Sequence, residues 1–487
     1  MLTEEQELIV KTDYQKGQVV HISAFAGSGK TFTLQKLVER FATTHADWKI
    51  LYLAFNKSVQ MEASSKFPRN VTAKTIHALA YAKYGNLYRK KLVPDLRVNV
   101  LTEALGLKAK DFLLVKYVID TLVNYFTSSN RFITEQHCPG MDDYAKKRFH
   151  RLEVIEHAKR VWKRMRDEND NAVGMLHDGY LKMFEIEEEQ LPYDVILFDE
   201  CQDANPVTTS IILKQEHALR VLVGDPHQQI YSFRGAVNAM QQVKTDFHYS
   251  LTGSFRFNQT IAEIANMLLM EYKGERKKIK GLGSKGCLDK IDRKNPYAVL
   301  TRTNAGIFDQ ATDLLSSSKL GFLGGIKNYK FSMIKDVYEL YAGSPEKIRF
   351  SWFKKFKGLP DLQQYADDIQ DVELVSLVKT VNKFKHEIPS LLSAIEKQTE
   401  PNLYKANVLL STTHKAKGFE FKRVKLFDDF LDFYEEKNIR RAPELIAPDE
   451  INLYYVAVTR TKETLEINRR LKRNLAWLDK KYDVVSV

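Results

Sequence analysis

Short uninterrupted apolar runs alternate along this chain with stretches where apolar residues recur every three or four positions. Residues 19–23, VVHIS, predict a short strand buried on both faces. A glycine-containing turn follows, and then Leu34, Leu37, Val38 and Phe41 recur at helical spacing, so strand, loop and helix come in that order. Runs at 50–55, 195–198 and 219–223 predict further parallel strands. Each ends beside polar or glycine-containing residues, at the edge where an open α/β sheet presents ligand-binding groups. Between about 85 and 175 the pattern turns helical, basic and aromatic. A second strand series is predicted at 297–301, 408–410, 424–427 and 464–467, with a mostly helical, polar stretch over 327–404 inside it. The fold class is therefore α/β, with a helical insertion in each half. The charged, proline-containing piece 435–450 is expected to be a mobile surface loop.

Composition narrows the class. At 487 residues the chain exceeds what one core supports, so about two to four domains are expected. No run approaches the ~20 apolar residues that cross a bilayer, so no membrane partner is expected. The opening MLTEEQELIVKTDYQKG carries acidic residues where a secretory signal carries basic ones, which predicts an intracellular protein: cytoplasm or nucleoid in a bacterium, nucleus in a eukaryote. Cys138, Cys201 and Cys287 are scattered without zinc spacing and fit a reducing compartment. His137 beside Cys138 reads as a surface pair. The formal charge of +12 gathers at 88–91, 146–151, 159–164 and 276–280. A polyanion partner explains this, and so do solvated helix faces, so the motifs must decide.

Residues 24–31, AFAGSGKT, fit the phosphate-loop pattern with Ala24 in place of its first glycine. Ala26, Gly27, Ser28 and Gly29 would wrap backbone N–H groups around phosphate, the two glycines relieving crowding. Lys30 would reach the β- and γ-phosphates, and Thr31 would ligate Mg²⁺. Val195 to Phe198 runs straight into Asp199-Glu200. An isolated Asp-Glu is usually a solvated loop, but at the end of an apolar strand Asp199 can hold Mg²⁺ and Glu200 can orient and deprotonate water. Gln228, in GDPHQQ after another strand, either senses the γ-phosphate or caps the next turn. ATP and Mg²⁺ are the expected cofactors.

Taken together, these motifs resemble superfamily 1 helicases of the Rep/UvrD type. The resemblance runs through LTEEQ, LAFNK, TIHALA, FDECQD, GDPHQQIYSFRGA, GSFR, TRTNA, STTHKAKGFEF and LYYVAVTRTK, matching in order and spacing as well as wording. Within that superfamily, GDPHQQIYSFRGAVNA, SFRFN and GGIKNY look like the helicase portion of the F-box DNA helicases. An F-box is not evident ahead of Gln6, so no F-box-mediated ubiquitin-ligase partner is expected.

The resemblance implies two RecA-like P-loop motor domains. The first comprises residues 1–84 and 176–250 around a helical insertion at 85–175. The second comprises 251–326 and 405–487 around a reduced insertion at 327–404. It implies adenine recognition by Gln6, base stacking by Phe255, a nucleotide contact by Glu420, and γ-phosphate contacts from Arg256 and Arg460. It places Phe55, Asn56, His77, Tyr231, Phe233 and His414 along a DNA track. Phe32, Ile76 and Phe233 depart from common family residues. The implied activity is ATP-driven 3′→5′ translocation on single-stranded DNA with duplex separation at single-strand/duplex junctions. The alternative is an ATP-dependent single-stranded-DNA translocase that remodels or removes bound proteins with little unwinding, for which nucleoprotein filaments are a further expected partner.

Overall fold

Six parallel strands form the first sheet: β1 (Val19–Ala24), β2 (Ile50–Ala54), β3 (Val71–Thr75), β4 (Val195–Phe198), β5 (Leu219–Gly224) and β6 (Phe247–Leu251). Their order is β3-β2-β4-β5-β1-β6. The computed structural model describes residues 2–141, 143–230, 243–368, 371–435 and 438–482. The chain divides into two compact units, residues 1–24 with 29–251, and residues 25–28 with 252–487.

Strand side chains alternate between two cores because successive Cβ atoms point to opposite faces. Ile50, Tyr52 and Ala54 join Leu34, Val38 and Phe41 of the helix Lys30–Thr44 on one face. Leu51 and Leu53 join Val207 and Ile211 of the helix Pro206–Leu213 on the other. This second core continues without a break into Val118, Leu122, Val154 and Val161 of the helices Phe112–Thr127 and Arg151–Arg166. The helical stretch between β3 and β4 is thus rooted on one face of the sheet.

The second unit repeats the scheme. Short strands β7 (Gly253–Ser254) and β8 (Lys280–Gly281) pair beside a larger parallel sheet. That sheet comprises β9 (Cys287–Leu288), β10 (Tyr297–Thr301), β11 (Leu320–Phe322), β12 (Val408–Thr412), β13 (Phe421–Leu426) and β14 (Thr461–Glu466). Its order is β11-β12-β10-β13-β14-β9. Leu300, Val424 and Leu465 face the helices Gln259–Lys273, Pro448–Val458 and Arg469–Tyr482. Val299, Phe322 and Leu410 face a core shared with the helices Phe331–Tyr341, Leu359–Asp368, Val372–Phe384 and Ile388–Gln398.

Two expectations are corrected. His137 and Cys138 are buried, not at the surface. The His137 ring packs edge-on to Tyr125 at 5.4 Å and accepts the Thr134 N–H at Nδ1, so burial lowers its pKa. The piece expected to be a loose loop over 435–450 is anchored where it is described. Arg440 stacks 3.5 Å from the Trp477 ring centroid and donates to Glu271 and to the Tyr272 hydroxyl, and a helix already begins at Pro448. Among the described residues no helix is long and apolar enough to cross a membrane.

Candidate nucleotide and nucleic-acid site

β1 delivers the chain into the phosphate loop, and the helix Lys30–Thr44 leaves it. Gly27 and Gly29 have φ of 76° and 80°, in the left-handed region where a Cβ is unfavourable. Lys30, at the first turn of that helix, places its ammonium 2.7 Å from Glu200 Oε1. Burial pulls the Lys30 pKa down, but the carboxylates of Glu200 and Asp199 outweigh it and hold the value above that of an ordinary lysine.

β4 runs into Asp199, which is 4% exposed. Its two oxygens accept the Tyr52 hydroxyl at 2.6 Å and the Glu200 N–H at 2.9 Å. Burial, reinforced by the Glu200 charge, pushes the Asp199 carboxyl up. Glu200 itself sits at φ 53°, a left-handed backbone that costs a non-glycine residue about 1–3 kcal/mol.

From Glu200 a chain of hydrogen bonds crosses the sheet edge. Gln202 donates through Nε2 to Glu200 Oε2 and accepts the Asp225 N–H at 3.1 Å. Asp225 accepts the His227 N–H at 3.0 Å and the Gln228 side-chain amide at 2.7 Å. Lys30, Asp199, Glu200 and Gln228 are therefore brought together in one unit, linked through Gln202 and Asp225. Sequence reading missed Tyr52, Gln202 and Asp225. Gln202 and Asp225 were visible inside FDECQD and GDPHQQ, whereas Tyr52 carried no signal beyond its place in an apolar run.

The donors fit a hard divalent cation. Thr31 offers a hydroxyl at the helix start and Asp199 a buried carboxylate. Among the described residues no three His, Cys, Asp or Glu side chains gather as a metal cage. One hydroxyl and one carboxylate suit a cation such as Mg²⁺, which keeps waters and takes phosphate oxygens beside one or two protein ligands.

Gln6 is 1% exposed, and its Oε1 accepts the Thr3 N–H in a capping box at the start of the helix Glu4–Lys11. Its side chain therefore has a local role beside any ligand role.

In the second unit, Phe255 is 49% exposed. Residues 25–28 belong to this unit: the Ala26 N–H donates to the Tyr455 hydroxyl at 3.0 Å, and a Cβ at Gly27 would come within 2.5 Å of Ser254 Oγ. Ser28 is buried. Arg256 pairs with Glu420 at 2.7 Å and donates to the Thr459 carbonyl at 2.9 Å. Burial would raise the Glu420 carboxyl, but Arg256 and Lys462 override it and hold the pKa below the ordinary value. Arg460 is 1% exposed, its guanidinium donating to the carbonyls of Val456 and Phe419 at 3.0 and 3.3 Å. Arg256, Glu420 and Arg460 thus gather where the helix Pro448–Val458 ends.

The expected DNA-facing residues divide. Phe55 is 44% exposed at the end of β2, and His77 is half-exposed with its Nε2 3.1 Å from Asp178. Asn56 caps the helix Lys57–Lys66 by accepting the Val59 N–H at 3.0 Å. His414 lies in the second unit, in the short helix Thr413–Ala416. Tyr231 and Phe233 lie outside the described residues.

Comparison with known proteins agrees with this arrangement. The family model of an AAA domain matches residues 6–234, and that of a UvrD-like helicase C-terminal domain matches residues 332–470. F-box DNA helicase 1 of Gallus gallus is 36% identical over 98% of this chain and 50% of its own length. The F-box DNA helicase protein 1 of Schizosaccharomyces pombe is 29% identical over 96% of this chain and 57% of its own. DNA helicase IV of Escherichia coli is 33% identical over a shorter segment, 18% of this chain and 14% of its own. The phosphate loop on a parallel sheet, followed by a second parallel sheet, is the frame of two RecA-like domains with helical insertions. By these matches the chain is similar to the UvrD-like superfamily 1 helicases. It spans about half the length of the two F-box helicases it matches.

Proposed function

We propose that this chain is an ATP-dependent DNA helicase that translocates 3′→5′ on single-stranded DNA and separates duplex at junctions. The observation that carries the reading is the bonded chain Lys30–Glu200–Gln202–Asp225–Gln228. It joins a phosphate-binding lysine to a carboxylate suited to activating water and to a glutamine suited to sensing phosphate. In this reading Lys30 turns from Glu200 to the β- and γ-phosphates. Glu200 then orients and deprotonates the attacking water, held by Gln202 at its other oxygen. Thr31 and Asp199 would hold Mg²⁺, which supplies charge neutralisation on the phosphate oxygens. Gln6 and Phe255 serve the base and Glu420 the nearby nucleotide groups. Arg256 and Arg460 stabilise charge on the transferred phosphoryl group.

The motor-domain boundaries at residues 84/85, 175/176, 250/251, 326/327 and 404/405 belong to the same proposal, as does a single-strand track over Phe55, His77 and His414. Flat rings there would stack on bases without reading their identity. The test is unwinding of duplexes carrying either a 3′ or a 5′ single-stranded tail, with and without ATP. ATP-dependent opening of the 3′-tailed substrate is expected. Opening of neither substrate, or preference for the 5′ tail, would sink the proposal.

A further inference from the structure

The second insertion carries a surface that the nucleotide site does not use. Residues 347–357 read KIRFSWFKKFK, with five cations and four aromatic residues in eleven positions. Asp336, 3% exposed on the helix Phe331–Tyr341, fixes the entrance to this segment by accepting the N–H groups of Arg349 and Phe350 at 3.0 and 2.9 Å. Ile348, Phe353 and Phe356 root it in the core of the insertion. What remains outside is chemically uniform. Arg349, Lys354 and Lys357 are exposed, and among the described residues none of the three has an ion-pair partner.

Planar rings lie among these cations. Phe350 is 52% exposed, and its ring runs 28° from that of Trp352 at 6.3 Å. Tyr365, on the helix Leu359–Asp368, is 36% exposed and meets Trp352 edge-on at 5.7 Å. Exposed rings on a rigid turn, flanked by unpaired cations, suit a ligand with both π faces and regularly spaced anions. We infer that this surface is a second contact for single-stranded DNA, outside the motor's own strand track; the inference rests on the DNA reading above. A duplex matches less well, because its base faces are already stacked on one another and leave Phe350 only a backbone to touch. An acidic peptide would satisfy the cations but not the rings.

The test measures the affinity of the full chain for a labelled single strand and for a blunt duplex across a salt series, with DNA-free ATP turnover as the check on folding. Phe350→Ser is expected to weaken single-strand binding by about five- to fiftyfold. Arg349→Ser with Lys354→Ser is expected to lower the salt slope by about 1.4, roughly 0.7 per lost phosphate contact. Both variants should keep wild-type turnover without DNA. Wild-type binding with both variants unchanged overturns this inference alone, as does a loss confined to the duplex. A wild type that binds no single strand overturns it together with the reading on which it rests.

Discussion

Gln202 uses both ends of its amide at once. It is fully buried, donates to Glu200 and accepts the Asp225 N–H. Gln202→Leu would leave the buried Asp225 N–H short of its acceptor, at about 1–3 kcal/mol of stability, and would take one donor from the half-buried Glu200 carboxylate. Because Glu200 would lose its orientation and not its charge, a fall in kcat of about ten- to a hundredfold with little change in KM is expected. Steady-state ATP hydrolysis with single-stranded DNA checks this, and wild-type kcat would remove Gln202 from the relay. Lys30→Ala should abolish turnover outright, since it removes both the proposed phosphate contact and the counter-charge that Asp199 and Glu200 now share. Full turnover in that variant would count against the whole assignment. These residues were unequally legible. Lys30, Asp199 and Glu200 stood out in the sequence because each follows an apolar strand in a recognisable motif, and the structure brings the three together. Tyr52 was not, since a buried tyrosine in an apolar run looks like core until the structure shows its hydroxyl on Asp199.

Among elements, the strongly apolar strands were legible and the polar ones were not. β2, β4 and β5 are covered on both faces, so their sequences are nearly continuous apolar runs. β3, VTAKT, lies at the sheet edge with every residue half-buried, and it lacks the run that marks a central strand. β11 is only three residues long, too short to show a period. The packing at the start of the helix Asn304–Leu314 was also invisible, because its partner lies far away in sequence. Asp429 accepts the N–H groups of Arg302 and Thr303 and the Thr303 hydroxyl, at 2.8, 2.9 and 2.9 Å. Burial outweighs these bonds and pushes its carboxyl up to about 6. A raised folded-state value means that the group favours folding most when protonated, and that this contribution is lost as pH rises through about 6. Thermal melting of the wild type and of Asp429→Asn between about pH 4 and pH 6 should therefore converge or cross, the wild type losing ground as pH rises to about 6 and levelling off above it. Parallel profiles would show that Asp429 ionises as an ordinary surface carboxylate.

For the molecule as a whole, charge left two explanations open, and salt separates them. The net +12 could be scattered over solvated helix faces, in which case its field is screened and carries no specific affinity. The helix Arg151–Arg166 argues against scatter: Lys159, Arg160, Lys163 and Arg166 are exposed beside one another, and among the described residues only Lys159 of the four has a carboxylate partner, Glu156. If such faces meet phosphate, each contact displaces a condensed counterion, and affinity for a single strand should fall log-linearly with salt. Five contacts would cost about a hundredfold between roughly 50 and 200 mM. Base stacking by Phe55 and His77 would add a share that salt does not touch, so a residual affinity should survive where the electrostatic part has been screened away. DNA-free ATP turnover, which the proposed mechanism rests on groups already paired at short range such as Lys30 and Glu200 at 2.7 Å, should move far less over the same range. Titrating one labelled strand at several salt concentrations beside DNA-free turnover therefore reads the two systems separately. A flat binding profile would assign the positive charge to solvation and leave the aromatic residues to hold the strand alone.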